Sequence, residues 1–404
     1  MLATVGLIVI GLAGTIWGPR FYGRTAWAVP DDLWGTLIAA QRLMHLDLGG
    51  LYTAPTNLIS FPGTAVILIP VVAIMDAAGL TLHAGHQGPH PYEWLLVGTY
   101  ETAISAMTLF AADAIAERLC LAWPKRLLLA AAGATALWSV SVRWGHPEDA
   151  VAVGLLLYAI LALSGSRRDG TAWLAGAAVA VQPLVLLAFP VLAAAVDRRR
   201  LPRFLARAAA PSVLLLAAAA AANWTATISR VASQPNAPTI DHPTPWIYVA
   251  PQLSDGSVAA GPGRSLAVVA ALGCGLILWH RRRAALLAVW STDAFRELLW
   301  WVAVALALRS VFEPVMVAYY LWPPLAVALV VAAADWSCLI PAGAAATVLT
   351  FFSQILWRNP WVWWSPMITI LGLALAFARP RRARSPAAQV LPETGEKFVA
   401  DSAP

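Results

Sequence analysis

The densest group of chemically capable residues in this chain is Arg143-Trp144-Gly145-His146-Pro147-Glu148-Asp149. Proline suits the first turn of a helix, where its missing N–H is not needed, and carboxylates in that turn are favoured by the helix dipole. One reading is therefore a well-built helix start. The other is an anion site, in which Arg143 and His146 present donors or positive charge and Glu148 orients one of them. A second group, Val29-Pro30-Asp31-Asp32-Leu33, opens a stretch where Leu33, Leu37, Ala40, Met44 and Leu48 recur at helical spacing. Asp31 or Asp32 either caps that helix or acts as a general base toward an attacking hydroxyl. In Arg309-Ser310-Val311-Phe312-Glu313-Pro314, Arg309 and Glu313 stand four apart, the spacing of a helical ion pair. Tyr319 and Tyr320 follow, as interfacial belt residues or as stacking platforms. Gln182-Pro183 interrupts an apolar run, as a tolerated kink or as a break that leaves backbone groups open. His83, His86 and His90 lie in a Gly/Pro-rich loop at loose spacing and read as solvated residues rather than metal ligands.

The elements that hold these residues are constrained by composition. Of 404 residues, 60% are apolar and 12% charged, against about 45–50% and 25% in a soluble domain. That excess excludes both a soluble globular domain and a disordered chain. The three cysteines, Cys120, Cys274 and Cys338, are odd in number and lie in or beside apolar runs, so they read as core residues and not as a disulfide framework. The net charge of +6 comes almost wholly from arginine, since Lys125 and Lys397 are the sole lysines. The arginines cluster between apolar runs, as in cytoplasmic loops, which favours a lipid bilayer as partner over nucleic acid. With no zinc-type Cys/His spacing, Walker loop or dinucleotide fingerprint, no metal or cofactor is expected.

The apolar segments are 2–18, 60–80, 94–115, 127–142, 149–164, 172–196, 206–223, 264–279, 295–312, 315–334, 338–356 and 361–378. Lipid leaves backbone groups no partners but their own, so these are expected to be helices. At about 20 residues per span, an all-α polytopic protein of about 10–12 transmembrane helices is predicted. Residues 1–378 form the membrane domain, with a first external loop at 19–59 bearing the amphipathic stretch, which is expected to lie along the membrane surface. A second, Pro-rich irregular loop spans 224–263, and 379–404 is expected to be a disordered cytoplasmic tail. Arg198–Arg200, Arg281–Arg283 and Arg379–Arg384 are consistent with one cytoplasmic side. Arg118, Lys125, Arg126, Arg167 and Arg168 look cytoplasmic too, yet simple alternation puts them outside. A hairpin at Gln182-Pro183 and a second non-spanning piece within 60–115 would reconcile them.

An apolar first span, an acidic residue opening a surface helix (Asp32-Leu33), then Leu51-Tyr52, then Phe61-Pro62-Gly63 leading into the next run, form a recognisable order. This order resembles GT-C fold glycosyltransferases. It is most similar to bacterial polyprenol-phosphate-mannose-dependent mannosyltransferases and their actinobacterial relatives. Gly145-His146-Pro147-Glu148, the Gly176–Pro190 run and Phe312-Glu313-Pro314 with Tyr319-Tyr320 resemble later motifs of the same relatives. The chain departs in having Gly63 for a second proline and Gln182 where a lysine is frequent. The resemblance implies an inverting transfer from a polyprenyl-phosphate sugar, mannosyl or arabinosyl, to a cell-envelope glycolipid or glycan. The transfer would occur at the external face of the plasma membrane, without a nucleotide sugar. Asp32 is matched to the general base, with Asp31 as neighbour or stand-in. Leaving-group charge is what preorganised donors stabilise best, which nominates Arg143 and His146 for the phosphate, with Arg309 in reserve. Glu148, Gln182, Glu313, Tyr319 and Tyr320 would support them. The rival readings are a multi-span transporter or lipid flippase, for which broken helices are a signature, and a non-catalytic scaffold.

Overall fold

The computed structural model describes residues 5, 27–56, 58, 60–138, 140, 144–165, 168–236, 238, 241–254, 256–285, 290–353, 355 and 359–380. The 2–18 segment (residue 5 apart), Arg143 and the tail from 381 lie outside the described residues.

The described chain is almost entirely helical: α1 (Asp31–Met44), α2 (Ile69–Ala77), α3 (Pro91–Ser105), α4 (Met107–Arg118), α5 (Trp123–Trp138), α6 (Pro147–Ser164), α7 (Arg168–Val181), α8 (Phe189–Ala195), α9 (Leu201–Ala222), α10 (Trp224–Ser233), α11 (Gly261–Ala285), α12 (Thr292–Phe312), α13 (Trp322–Ala332), α14 (Trp336–Phe352) and α15 (Pro360–Ala378). Among the described residues, five stretches are long and apolar enough to cross a membrane on their own: α3 with α4, α6, α9, most of α11, and α15. Of the other apolar runs, Pro183 splits one and a small ribbon at Val315–Met316 takes the start of another, while α12, at 21 residues, carries Arg296, Glu297 and Arg309. Burial separates the spans. In α6, 78% of the apolar window is buried inside the protein, against 22% in α9. On α9 and α11, Val213, Leu214, Val269 and Leu272 are exposed although apolar, as expected of helices that face lipid.

Side-chain contacts sort the helix ends into two sets. His146, Gln182, Arg264 and Glu313 line one cavity, so α6 starts, α7 ends, α11 starts and α12 ends at that face. Eighteen residues make α6 about 27 Å long, and its far end meets Arg118, whose Nη2 donates to the Ser164 carbonyl at 3.4 Å. Lys125 Nζ donates to the Ala334 carbonyl at 2.7 Å, just past α13. Arg198 lies over Trp279 at 4.8 Å, near the far end of α11. Arg379 lies over Trp300, near the start of α12. Arg118, Lys125, Arg126, Arg198, Arg281 and Arg379 therefore share one end, opposite the cavity.

Two features of the path correspond to the two devices that would reconcile the basic segments. Gln182 is extended, with φ −143° and ψ 108°, and 183–188 is a 3₁₀ helix that turns the chain back from the cavity. The return leg, α8, packs on α11, where Gly275 admits the Pro190 carbonyl. Segment 60–80 is the second device. It is a single turn, Gly63–Val66, followed by α2. The loop after α2 comes back to the same face, where His86 Nδ1 lies 3.2 Å from Asp31 Oδ1.

Three expectations are corrected, the first being that Cys120 is not a core residue but lies exposed between α4 and α5. The apolar stripe of α1 is not laid on lipid: Leu33, Leu37, Ala39 and Ala40 are buried against α2 and the Gly63–Val66 turn, because protein offers those side chains a denser partner. The 224–263 stretch is not wholly irregular. Asn223 accepts from the Ala226 N–H and starts α10, and β1 (His242–Pro243) pairs antiparallel with β2 (Val315–Met316). A two-residue ribbon carries no periodicity that a sequence can display.

Candidate functional site

The cavity at the end opposite the basic residues has a volume of about 420 Å³. Its polar wall brings together His146, Glu148, Gln182, Arg309, Glu313, Tyr319 and Tyr320, which come from four separate stretches of sequence.

His146 precedes Pro147, the first residue of α6, so the loop hands its imidazole to the cavity while Glu148 sits in the first helical turn. Gly145 has a φ of +68°, a conformation open to glycine, and lies against Leu33 and Pro30, which seats the loop on the start of α1. His146 Nδ1 is 2.6 Å from Glu148 Oε1, and Nε2 is 3.6 Å from Asp32 Oδ2. Tyr319 stacks on the imidazole with ring centroids 3.9 Å apart. Burial works against charge on His146, but Glu148 and Asp32 outweigh it and hold the imidazolium form well above the ordinary imidazole range. Asp32 itself is exposed at the first turn of α1, and Asp31 beside it pairs with His86.

Pro183 has no N–H, and the break before it leaves α7 with unpaired terminal carbonyls. The Thr64 hydroxyl donates to one of them, Val181, at 2.6 Å. Gln182 does not merely mark a kink: its Nε2 donates to Asp149 Oδ1 at 2.8 Å, which ties the broken helix to α6.

Arg309 and Glu313 form the ion pair their spacing predicts, at 3.7 Å. The Arg309 guanidinium carbon stands 3.6 Å over the Tyr320 ring. A second arginine was not singled out from the sequence: Arg264 Nη2 reaches Glu313 Oε1 at 2.6 Å, and its Nη1 donates to Gln234 Oε1. Two guanidinium groups thus share one carboxylate, leaving this wall net positive. The loop after α10 is fastened here, with the Thr244 hydroxyl donating to the Glu313 carbonyl at 2.6 Å and Trp246 Nε1 to the Val311 carbonyl at 2.7 Å. Below the arginines the wall turns apolar, with Leu184, Leu186, Leu187, Ala267 and Val268. Leu186, on the 183–188 3₁₀ helix, and Val268, on α11, are about half exposed, at 48% and 47%.

Two further acids belong to this region. Asp241, just before β1, has its carboxyl pushed up to about 6 by burial, with the Asp32 charge adding to the shift and His146 opposing it. Glu101 of α3 is fully buried, its carboxylate oxygens have no hydrogen-bond partner among the described residues, and it feels the charges of Glu148 and His146. Arg264 had a legible signal, a charge directly after Gly261-Pro262-Gly263 at the head of an apolar run. Asp241 had none, since a loop acid before a His-Pro pair is ordinary. Arg143 lies outside the described residues. No protein-family model matches the chain, and no curated protein matches its sequence.

Proposed function

We propose that this chain is a membrane glycosyltransferase that moves a sugar from a polyprenyl-phosphate donor to a cell-envelope glycolipid or glycan with inversion. One observation carries the reading. A single cavity joins a net-positive pair of arginines to an apolar wall whose Leu186 and Val268 are half exposed, and His146 links that cavity to an exposed carboxylate, Asp32. An anionic lipid needs the first two features together: donors for a phosphate and an apolar surface for its chain. Arg309 and Arg264 suit the phosphate better than His146, whose charge is already answered by Glu148 and Asp32.

In this mechanism Asp32 takes the proton of the acceptor hydroxyl. The hydroxyl oxygen bonds to the anomeric carbon as the bond from that carbon to the phosphate oxygen breaks. The lipid phosphate leaves with one more negative charge, which the guanidinium groups stabilise. Tyr319 and Tyr320 line the same cavity, where they hold the His146 ring and the Arg309 guanidinium in place. The positive-inside rule places the basic end in the cytoplasm and the cavity at the external face of the plasma membrane.

The test is sugar transfer in membranes from radiolabelled polyprenyl-phosphate mannose or arabinose. Losing the base is expected to lower transfer by about 10²–10⁴-fold in Asp32→Asn. Since Asp32 is exposed, the variant should insert at the normal level. Arg309→Gln is expected to raise the donor KM. Undiminished transfer in Asp32→Asn sinks the mechanism.

A further inference from the structure

The loop from 78 to 90 and the start of α3 hold a group of residues that the proposed transfer does not use. His83, His90 and Glu93 each place a donor atom within 4.8 Å of the other two. His83 Nδ1 is 3.1 Å from Glu93 Oε2. The His83 and His90 rings are parallel, with centroids 3.7 Å apart and planes 7° from each other. From sequence these histidines look loosely spaced, because the third ligand is an acid on the following helix and the intervening loop folds back on itself.

We propose that His83, His90 and Glu93 bind a divalent transition-metal ion, zinc by preference. Two imidazole nitrogens and one carboxylate oxygen form a donor set of borderline softness, which suits zinc over calcium or magnesium. Ligand atoms around a tetrahedral zinc stand roughly 3.3 Å apart. The His83–Glu93 separation already matches this, and the His90 ring must turn out of its stack on His83 for its in-plane lone pair to converge on the same ion. The carboxylate is prepared for the role. Glu93 is 3% exposed, and the His83 backbone N–H donates to its Oε1 at 3.0 Å, the kind of outer contact that orients a ligating group. Both imidazoles are partly exposed, so an ion has a path in, and a water or a fourth ligand has room. Two parallel imidazoles over a buried carboxylate also fit a shared proton, and that is the competing account.

The position of the site gives it a purpose. The His90 N–H donates to the Trp27 carbonyl at 2.9 Å, and His86, between the two ligands, reaches Asp31 at 3.2 Å. An ion here staples the loop to α3 and thereby steadies the first turn of α1, which carries Asp31 and Asp32. It binds neither carboxylate and takes no part in bond making.

The test is metal content and affinity of the full-length protein in detergent, using zinc and, as an optical probe, cobalt. About one zinc ion per chain is expected after dialysis against metal-free buffer, with cobalt giving the visible absorption of a four-coordinate site. His90→Ala, at a partly exposed position, is expected to weaken cobalt binding by more than about 100-fold, beyond the loss of an outer-shell partner. Glu93→Gln should do the same, and His86→Ala should keep the ion. Substoichiometric zinc in the wild type overturns the proposal. So does an unchanged affinity in His90→Ala with a native elution profile, or a loss in His86→Ala as large as in His90→Ala. None of these readouts depends on sugar transfer, so the site and the enzymatic reading stand or fall separately.

Discussion

His146 is the residue through which the first loop, α6 and the ribbon region meet, because its two ring nitrogens face Asp32 and Glu148 and its face meets Tyr319. Its raised affinity for a proton gives the linkage a definite sign. The ion pairs it makes are fully present below the ordinary imidazole range and are lost as pH rises through the higher value of the folded protein. Glu148→Gln removes the principal carboxylate, so the imidazolium should discharge at lower pH. The expected result is an alkaline limb of the transfer pH profile displaced to lower pH. An unmoved limb would show that His146 does not govern it. Asp241 has the opposite consequence at neutrality. Its carboxyl is raised to about 6, so folding favours its neutral form; that stability is present below the unfolded value and lost as pH rises through about 6. Asp241→Asn should therefore melt higher than wild type above pH 6 and converge with it below about pH 4, as followed by thermal shift in detergent.

At the scale of elements, close helix contact depends on particular glycines. In α11, Gly275 and Gly273 are two residues apart and differ sharply in surroundings. A Cβ on Gly275 would strike the Pro190 backbone, whereas one on Gly273 meets nothing within 4 Å. Gly275→Ala must push α8 off α11 and is expected to cost about 1–3 kcal/mol, while Gly273→Ala should gain about 0.5–1 kcal/mol from helix propensity. Equal effects in denaturation of the two variants would contradict this packing. The helices themselves were largely legible, since runs such as 149–164 and 361–378 match α6 and α15 to within two residues. Breaks with a proline were legible too, Gln182-Pro183 above all. The helix 224–233 was not, because its short amphipathic pattern lies among prolines and small polar residues that dominate the composition of the loop. Of the site, the residues with unusual spacing in one stretch, His146 with Glu148 and Arg309 with Glu313, could be read directly. The pairing of Arg264 with Glu313 could not, because 49 residues separate the partners and nothing local announces it.

At the scale of the whole molecule, charge and topology fit a single orientation. Every basic residue placed at the far end of the bundle, from Arg118 to Arg379, is separated from the cavity by the length of a helix. A protein inserted by the positive-inside rule would keep that end in the cytoplasm. The odd steps in the path, the return at Gln182-Pro183 and the non-spanning turn and α2 within 60–90, are what allow Arg118, Lys125 and Arg198 to share a side. The three cysteines make this testable without rebuilding the protein. Cys120 is exposed in the connection between α4 and α5, at the basic end, while Cys274 and Cys338 are buried. A membrane-impermeant maleimide added to intact cells should leave the wild-type chain unlabelled and should label it after permeabilisation. Tyr248, 72% exposed in the loop fastened to the cavity, supplies the complementary position: Tyr248→Cys should be labelled in intact cells. Labelling of Cys120 from outside would invert the protein, place the cavity in the cytoplasm, and remove the argument for a donor presented at the external face.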